Sequence, residues 1–248
     1  MAEPLSLSDE RLRALFSYPV FNGKHCSRVI EDLQRLGVGQ IESVGDQELG
    51  GVRILGKGCV GLVAVGRRLG SRVAVKILRS DANRANLRGE AANLWWANAV
   101  GVGPLLFGEG DMVLVMEYVE GMFLAKWLQK PHTGEEGADV LRSILGQCRR
   151  LDLAGLDHGE LSNAKKHVII SGRGVPFIID FETAGRERAC RNLTSMVNYL
   201  FFKESMSLLT GRFVCVERGR LRDALRDYKR DPSDESYRKM MALIGLGT

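Results

Sequence analysis

The chain has 248 residues, which is enough for one large domain or two small lobes. Apolar residues make up 45% and charged residues 26%, a composition typical of a soluble globular protein. The net charge of +5 is mild, so it permits an anionic ligand such as a nucleotide but does not indicate a nucleic-acid partner.

The cysteines and the apolar runs define the expected setting. The five cysteines are odd in number, far apart and form no CxxC pair, which argues against a disulfide framework or a zinc site. No apolar run is long enough to span a membrane, and "MAEPLSLSDERLRALF" is too charged for a signal peptide. These features predict a cytoplasmic protein without a membrane partner.

Residues 1–45 are predicted to form a helical extension. The stretches "LSLSDERLRALF" and "HCSRVIEDLQRLG" both place apolar residues at helical spacing, and the second stops at Gly37. Such a segment is either a packed extension or a small binding module.

The periodicity then changes twice. Residues 46–120 are rich in Val and Ile and punctuated by glycine, which favours strands, with one helix over "NRANLRGEAANLWWANAVG". Residues 121–248 are predicted to be mainly helical, apart from short strands at "HVII" and "PFIID". This order predicts an α+β protein with two lobes that join near Glu120 and Gly121.

A glycine-rich turn opens the strand-rich segment. "GKGCVGLV" places Gly56, Gly58 and Gly61 in the pattern G-x-G-x-x-G-x-V. Glycine lets the backbone approach phosphate oxygens closely and present N–H groups to them. The pattern predicts a phosphate-binding loop.

A lysine and a glutamate that could form a buried ion pair follow this loop. Lys76 ends the apolar stretch "VAVK", and a lysine buried in a strand needs an anionic partner. Glu90 lies on the next predicted helix, on the same stripe as Leu87 and Leu94. We therefore expect Glu90 to pair with Lys76.

The combined order of loop, strand lysine and helix glutamate resembles the protein-kinase signature. "LVMEYVEG" resembles the segment that joins the two kinase lobes, "HGEL" the catalytic loop, and "IIDFE" the metal-binding Asp-Phe-Gly. The "HGELS" and "DFE" forms are most similar to RIO-type and atypical archaeal predicted serine/threonine kinases. The resemblance covers roughly residues 50 to 205.

The resemblance implies a two-lobed kinase-like fold, with an antiparallel sheet in the N-lobe and a compact helical C-lobe. It also implies binding of ATP with Mg²⁺ and transfer of a phosphoryl group to a Ser or Thr hydroxyl. The residues expected at the nucleotide are Gly56, Gly58, Gly61, Val63, Ala74, Lys76, Glu90, Met116, Glu117 and Val119.

The catalytic loop departs from the kinase pattern. Glu160 stands where kinases use an aspartate to orient the substrate hydroxyl, so it is the expected base, together with Lys76 and Asp180 as catalytic residues. Its extra methylene moves the carboxylate by on the order of 1 Å, a shift that can cost about a hundredfold in rate. No Ala-Pro-Glu motif follows "DFETA", and Glu182 replaces the glycine after Asp180 and Phe181.

The metal-binding asparagine is also replaced. Counting from Glu160 gives Lys165, counting back from Asp180 gives His167, and Asn163 is a displaced candidate. Asp180 and His167 are the expected metal ligands, although histidine is a poor ligand for Mg²⁺. Lys165 or the adjacent Lys166 could instead offset phosphate charge directly.

The sequence is compatible with three functions. The first is an atypical serine/threonine kinase with a protein substrate or partner, and the second is an ATP-binding pseudokinase or slow ATPase. The third is a small-molecule kinase, because aminoglycoside- and choline-kinase-like enzymes share the fold.

Overall fold

The computed structural model describes residues 4–247, and their secondary structure mixes helices with antiparallel sheets. They divide into two compact units. The first unit runs to Trp95 and adds Pro104–Val119, and the second comprises Trp96–Gly103 and the chain from Glu120 onward.

The first unit contains most of the strands. Its strands are β1 Pro4–Ser6, β2 Val38–Glu42, β3 Gln47–Leu49, β4 Val52–Ile54, β5 Gly56–Lys57, β6 Gly61–Arg68, β7 Ser71–Leu78, β8 Leu106–Glu109 and β9 Val113–Glu117. Its helices are α1 Arg13–Phe16, preceded by a 3-10 turn at Glu10–Leu12, α2 Gly23–Arg35, and α3 Arg88–Ala99, which continues across the unit boundary at Trp95.

The second unit is mainly helical. Its helices are α4 Leu124–Leu128, α5 Gly134–Leu153, α6 Asn192–Phe201, α7 Glu204–Thr210, α8 Arg218–Arg230 and α9 Asp234–Ile244, with a 3-10 segment at Leu161–Lys166. Its strands are β10 Gly121–Phe123, β11 Val168–Ser171 and β12 Pro176–Ile178, which form one antiparallel sheet in that order.

One antiparallel sheet organises the first unit. Its strand order is β1-β2-β6-β7-β9-β8, with β5 paired to β6. The long hairpin β6–β7 forms its centre, and Val65, Val75 and Val115 on three adjacent strands are fully buried. β3 and β4 form a separate hairpin.

The N-terminal segment differs from the helical extension predicted for residues 1–45. α2 is present, but β1 and β2 add two strands to the main sheet, and β2 pairs with β6. In so short a segment, burial of Val38 and Ile41 against the sheet decides the conformation, and local spacing does not reveal that neighbour. Residues 1–3 lie outside the described residues.

Side-chain hydrogen bonds tie the same segment to the sheet. Asp32 on α2 accepts from the Met112 N–H at 2.8 Å, and His25 Nε2 lies 2.8 Å from the Leu78 carbonyl oxygen. Residues 4–42 are therefore an integral part of the first unit.

Trp96–Gly103, which the sequence placed in the lobe of residues 46–120, packs with the second unit. Arg150 on α5 explains this placement, because its guanidinium donates to the carbonyl oxygens of Val100 at 2.8 Å and Gly101 at 3.1 Å. Among the described residues, no helix has the length and apolar character needed to cross a bilayer.

The role of β2 in the sheet can be tested by shortening one of its buried side chains. Ile41 is fully buried, so Ile41→Ala should lower the free energy of unfolding by about 2–5 kcal/mol. The adjacent Gln40 is exposed, and Gln40→Ala should change it by less than about 0.5 kcal/mol. Urea unfolding measures both, and equal stability of the two variants would contradict a buried β2.

Candidate active site

The glycine-rich turn forms a hairpin in the first unit. β5 pairs with β6, so that Gly56 lies opposite Val63, and the turn is closed by a 2.8 Å hydrogen bond from the Gly58 N–H to the Gly61 carbonyl oxygen. Arg79 Nη1 donates to the Gly58 carbonyl oxygen at 2.9 Å and supports the turn from the neighbouring strand. The hairpin tip is therefore held by the sheet, and its binding of phosphate stays a prediction.

Gly61 is needed for close packing against a lysine. A Cβ at this position would lie 3.1 Å from both Cγ and Cε of Lys76 and 3.0 Å from the Ile77 carbonyl oxygen. These distances are tighter than ordinary carbon contacts, so a larger residue would displace the Lys76 side chain. The third glycine of the pattern therefore places Lys76.

Lys76 and Glu90 form the buried ion pair that the sequence predicts. Lys76 Nζ on β7 lies 2.8 Å from each carboxylate oxygen of Glu90 on α3. The two side chains are only 6% and 3% exposed. Burial of both charges makes the contact far more sensitive to loss of one partner than a surface pair would be.

Other residues predicted at the nucleotide lie on the same sheet. Strand register places Val63 opposite Lys76, and Ala74 opposite Met116. Side chains at these positions share the Lys76 face of the sheet, because residues two apart on a strand point to the same side. Contact of these side chains with a nucleotide stays a prediction.

Glu117 and Val119 are placed differently. Glu117 lies at the end of β9 opposite Val73, which puts its side chain on the other face of the sheet. Its Oε2 accepts a 3.1 Å hydrogen bond from the Leu105 N–H. Val119 follows the strand and is half-buried. The Glu117 side chain is therefore directed away from the Lys76 face, and the adenine contacts predicted for this stretch stay a prediction.

The loop "HGEL" in the second unit is anchored by its histidine. The His158 N–H donates to Asn192 Oδ1 at 2.8 Å, and His158 Nε2 lies 3.0 Å from the Ile179 carbonyl oxygen. The ring is fully buried against Phe181, with centroids 5.0 Å apart. His158 thus joins the loop to the segment that ends in Asp180.

Gly159 allows this loop to turn. Its φ of +90° lies in the region that favours glycine, and a Cβ there would overlap the Arg188 guanidinium. Arg188 in turn pairs with Asp157 at 2.5 Å and donates to the Thr183 carbonyl oxygen at 2.6 Å. The chain after Asp180 is thereby bound to the loop that carries Glu160.

Glu160, His167 and Asp180 come together in this unit. Their potential ligand atoms all lie within 4.8 Å of one another, and Glu160 Oε2 is 3.7 Å from His167 Nε2. Asp180 has a φ of +69°, a left-handed conformation that is uncommon outside glycine and that clusters at functional sites.

Two carboxylates and one imidazole can hold a divalent ion, so the residues fit a metal site. The nitrogen makes the fit poorer for Mg²⁺ than for an ion that accepts nitrogen readily.

The other candidates for the metal position are directed elsewhere. Asn163 Oδ1 accepts a hydrogen bond from Lys203 Nζ at 2.9 Å, which occupies its amide oxygen. Lys165 and Lys166 are exposed at the end of the 3-10 segment. Both lysines remain available to an anionic ligand, and their contact with phosphate stays a prediction.

A buried polar network next to the His158 loop was not predicted from the sequence. Asn192 donates through Nδ2 to Asp152 Oδ1 and to the Leu156 carbonyl oxygen, both at 2.8 Å, while Tyr228 on α8 donates to Asp152 Oδ2 at 3.1 Å. Burial raises the pKa of Asp152 despite these bonds. A single sequence offers no signal that separates such an asparagine from a surface one.

The buried ion pair can be tested with a double-mutant cycle. Lys76→Met and Glu90→Leu should each cost about 3–5 kcal/mol of unfolding free energy, because each leaves one buried charge without a partner. The double variant should cost clearly less than the sum. The same cycle on the exposed pair Arg88–Asp111 should give a coupling below about 1 kcal/mol. Additive losses for Lys76 and Glu90 would contradict the buried contact.

The buried His158 predicts a dependence of stability on pH. Burial lowers the pKa of His158 to about 4, whereas a histidine in the unfolded chain has its ordinary pKa of about 6.5. As the pH falls from 6.5 to 4, His158 becomes protonated in the unfolded chain but stays neutral in the folded protein. The free energy of unfolding should therefore fall by about 3 kcal/mol in this window. His158→Leu should remove this part of the pH dependence, and the control His132→Asn should retain it. Urea unfolding at a series of pH values, with EDTA present, measures both variants. An unchanged pH dependence in His158→Leu would contradict the assignment.

Similarity to known proteins is limited to part of the chain. No family model matches it. It is 31% identical over 127 residues to a probable serine/threonine-protein kinase PknB of Lactococcus lactis subsp. lactis (strain IL1403). The match covers 47% of this chain and 20% of that protein, so the chain spans about a fifth of the length of the relative it matches. This distant homology supports a protein-kinase-like relationship.

Proposed function

We propose that the chain is an ATP-dependent phosphotransferase of the atypical serine/threonine-kinase type, which transfers the γ-phosphoryl group of ATP to a hydroxyl. The observation that carries the proposal is the buried Lys76–Glu90 pair in contact with Gly61 of the glycine hairpin. A buried lysine held by a carboxylate beside a glycine hairpin is a fixed positive charge suited to nucleotide phosphates. The distant kinase homology points to the same reaction class.

The first unit supplies the phosphate contacts in this proposal. Backbone N–H groups of the hairpin face phosphate oxygens, and Lys76 neutralises part of their charge while Glu90 keeps its ammonium in place. This chemistry depends almost wholly on positioning and electrostatics, so a rigid hairpin and a fixed lysine are the parts it needs.

The second unit supplies the groups that act on the acceptor. Glu160 orients the acceptor hydroxyl and takes its proton, and the rigid loop around His158 fixes its position. Asp180 and His167 would hold a divalent ion, which supplies charge neutralisation for the phosphates when bound. Lys165 and Lys166 add positive charge that does not depend on metal.

A second candidate is an ATP-binding pseudokinase or slow ATPase. It is favoured by the position of His167, whose Nε2 lies 3.7 Å from Glu160 Oε2 and so crowds the carboxylate that would accept the proton. The identity of the phosphoryl acceptor is a separate question, because the segment between Asp180 and α6 is short for a protein-docking activation loop. A protein substrate is the proposal, and a small alcohol is the alternative that the assay must separate.

Incubation with γ-labelled ATP tests these functions together. Label should appear on the protein itself or on Ser/Thr peptides, and Glu160→Gln should lower this transfer by about 10²–10⁴-fold with little change in ATP affinity. Glu187→Gln, at an exposed glutamate between Asp180 and α6, is the matched control and should retain full transfer. Unchanged turnover in Glu160→Gln would reject Glu160 as the base. Release of free phosphate alone would favour the ATPase, and labelled small alcohols the small-molecule kinase.

A further inference from the structure

Two neighbouring imidazoles in the second unit each have an unsatisfied nitrogen. The rings of His158 and His167 meet edge to face with centroids 5.4 Å apart. Within residues 4–247, Nδ1 of His158 and Nδ1 of His167 are both buried and have no hydrogen-bond partner. A buried polar nitrogen without a partner costs about 1–3 kcal/mol, so two adjacent ones call for an explanation.

The tautomer of His158 is fixed by its other nitrogen. Its Nε2 lies 3.0 Å from the Ile179 carbonyl oxygen, and a carbonyl oxygen only accepts, so Nε2 carries the proton. Nδ1 of the neutral ring is then an acceptor.

The acceptor on His158 suits a donor on His167. If Nδ1 of His167 carries its proton and turns toward Nδ1 of His158, both unsatisfied atoms gain a partner. His167 Nε2 then presents a lone pair on the side where Glu160 lies. A ligating histidine that is held through its second nitrogen in this way is the usual arrangement at metal sites.

The spacing of the three side chains fits ligands on one ion. The 3.7 Å between Glu160 Oε2 and His167 Nε2 is too long for a hydrogen bond. Two ligands bound at about 2.1–2.2 Å to one ion lie roughly 3–4.4 Å apart, so 3.7 Å falls within that range. The ligand atoms of all three residues, including Asp180, lie within 4.8 Å of one another, and this upper bound is close to the same range.

We propose that Glu160, His167 and Asp180 form a divalent metal site with one nitrogen ligand, which binds Mn²⁺ in preference to Mg²⁺. Mg²⁺ prefers oxygen ligands and loses water reluctantly, whereas imidazole suits transition metals and carboxylates suit Mn²⁺. Of the two ions, Mn²⁺ is therefore the one that accepts both donor types more readily. Glu160 binds through one oxygen and keeps the other for the acceptor hydroxyl. Only that last role rests on the proposed function.

Metal binding is measured on the untagged, metal-free protein without nucleotide. Loss of the free Mn²⁺ signal in electron paramagnetic resonance gives the Mn²⁺ affinity, and competition gives that of Mg²⁺. The wild type should bind Mn²⁺ at least about tenfold more tightly than Mg²⁺, and His167→Asn should bring this ratio below about threefold. His132→Asn, the matched control in the same unit, should leave the ratio unchanged.

A spectroscopic measurement on the wild type makes the test independent of folding of the variant. With ¹⁵N-labelled histidine, electron spin echo modulation of bound Mn²⁺ should show coupling to one histidine nitrogen. Bound Mn²⁺ without such coupling would overturn the site, as would coupling or a Mn²⁺ preference that persists in His167→Asn. Phosphoryl transfer is assayed separately, so nitrogen-coupled Mn²⁺ in an inactive protein would support the site and reject the kinase function. Transfer by a protein whose bound Mn²⁺ lacks nitrogen coupling would do the reverse.

Discussion

Burial of the Lys76–Glu90 ion pair is the constraint on which the first unit depends. Each charge is several kcal/mol less favourable in the interior than in water, and only a close contact offsets that cost. The 2.8 Å contact requires β7 and α3 to be fixed to within a fraction of an ångström. The same ion pair requires glycine at position 61, since a Cβ there would displace the Lys76 side chain. The glycine hairpin, the central strand and the helix therefore form one interdependent arrangement.

The features that sequence reasoning recovered are those with a local cause. The glycine spacing, the strand that bears Lys76 and the helix stripe that bears Glu90 each follow from short-range patterns, and pairing of the two charges follows from the cost of burying either alone. β1 and β2 were missed because short strands are decided by their neighbours in the sheet. Asn192 was missed because its three partners, Asp152, Leu156 and His158, are distant in sequence.

Glu160 and His167 are better understood as a pair than singly. A longer carboxylate at Glu160 and an imidazole at His167 meet at 3.7 Å, near Asp180. The long Glu160 side chain and the His167 ring thereby place oxygen and nitrogen donor atoms side by side. The chemistry of this cluster is a property of the pair, and neither residue alone would provide it.

The second unit holds this cluster with directional bonds. Apolar packing fixes a loop only loosely in angle, because the hydrophobic effect is non-directional. Hydrogen bonds from Tyr228 to Asp152, from Asn192 to Asp152 and from His158 to Asn192 form a chain that leads from α8 to the loop before Glu160. Each bond is buried or half-buried, so its loss would strand a polar group away from water. A loop held in this way keeps Glu160 in one position, and that is the property a base or a metal ligand needs.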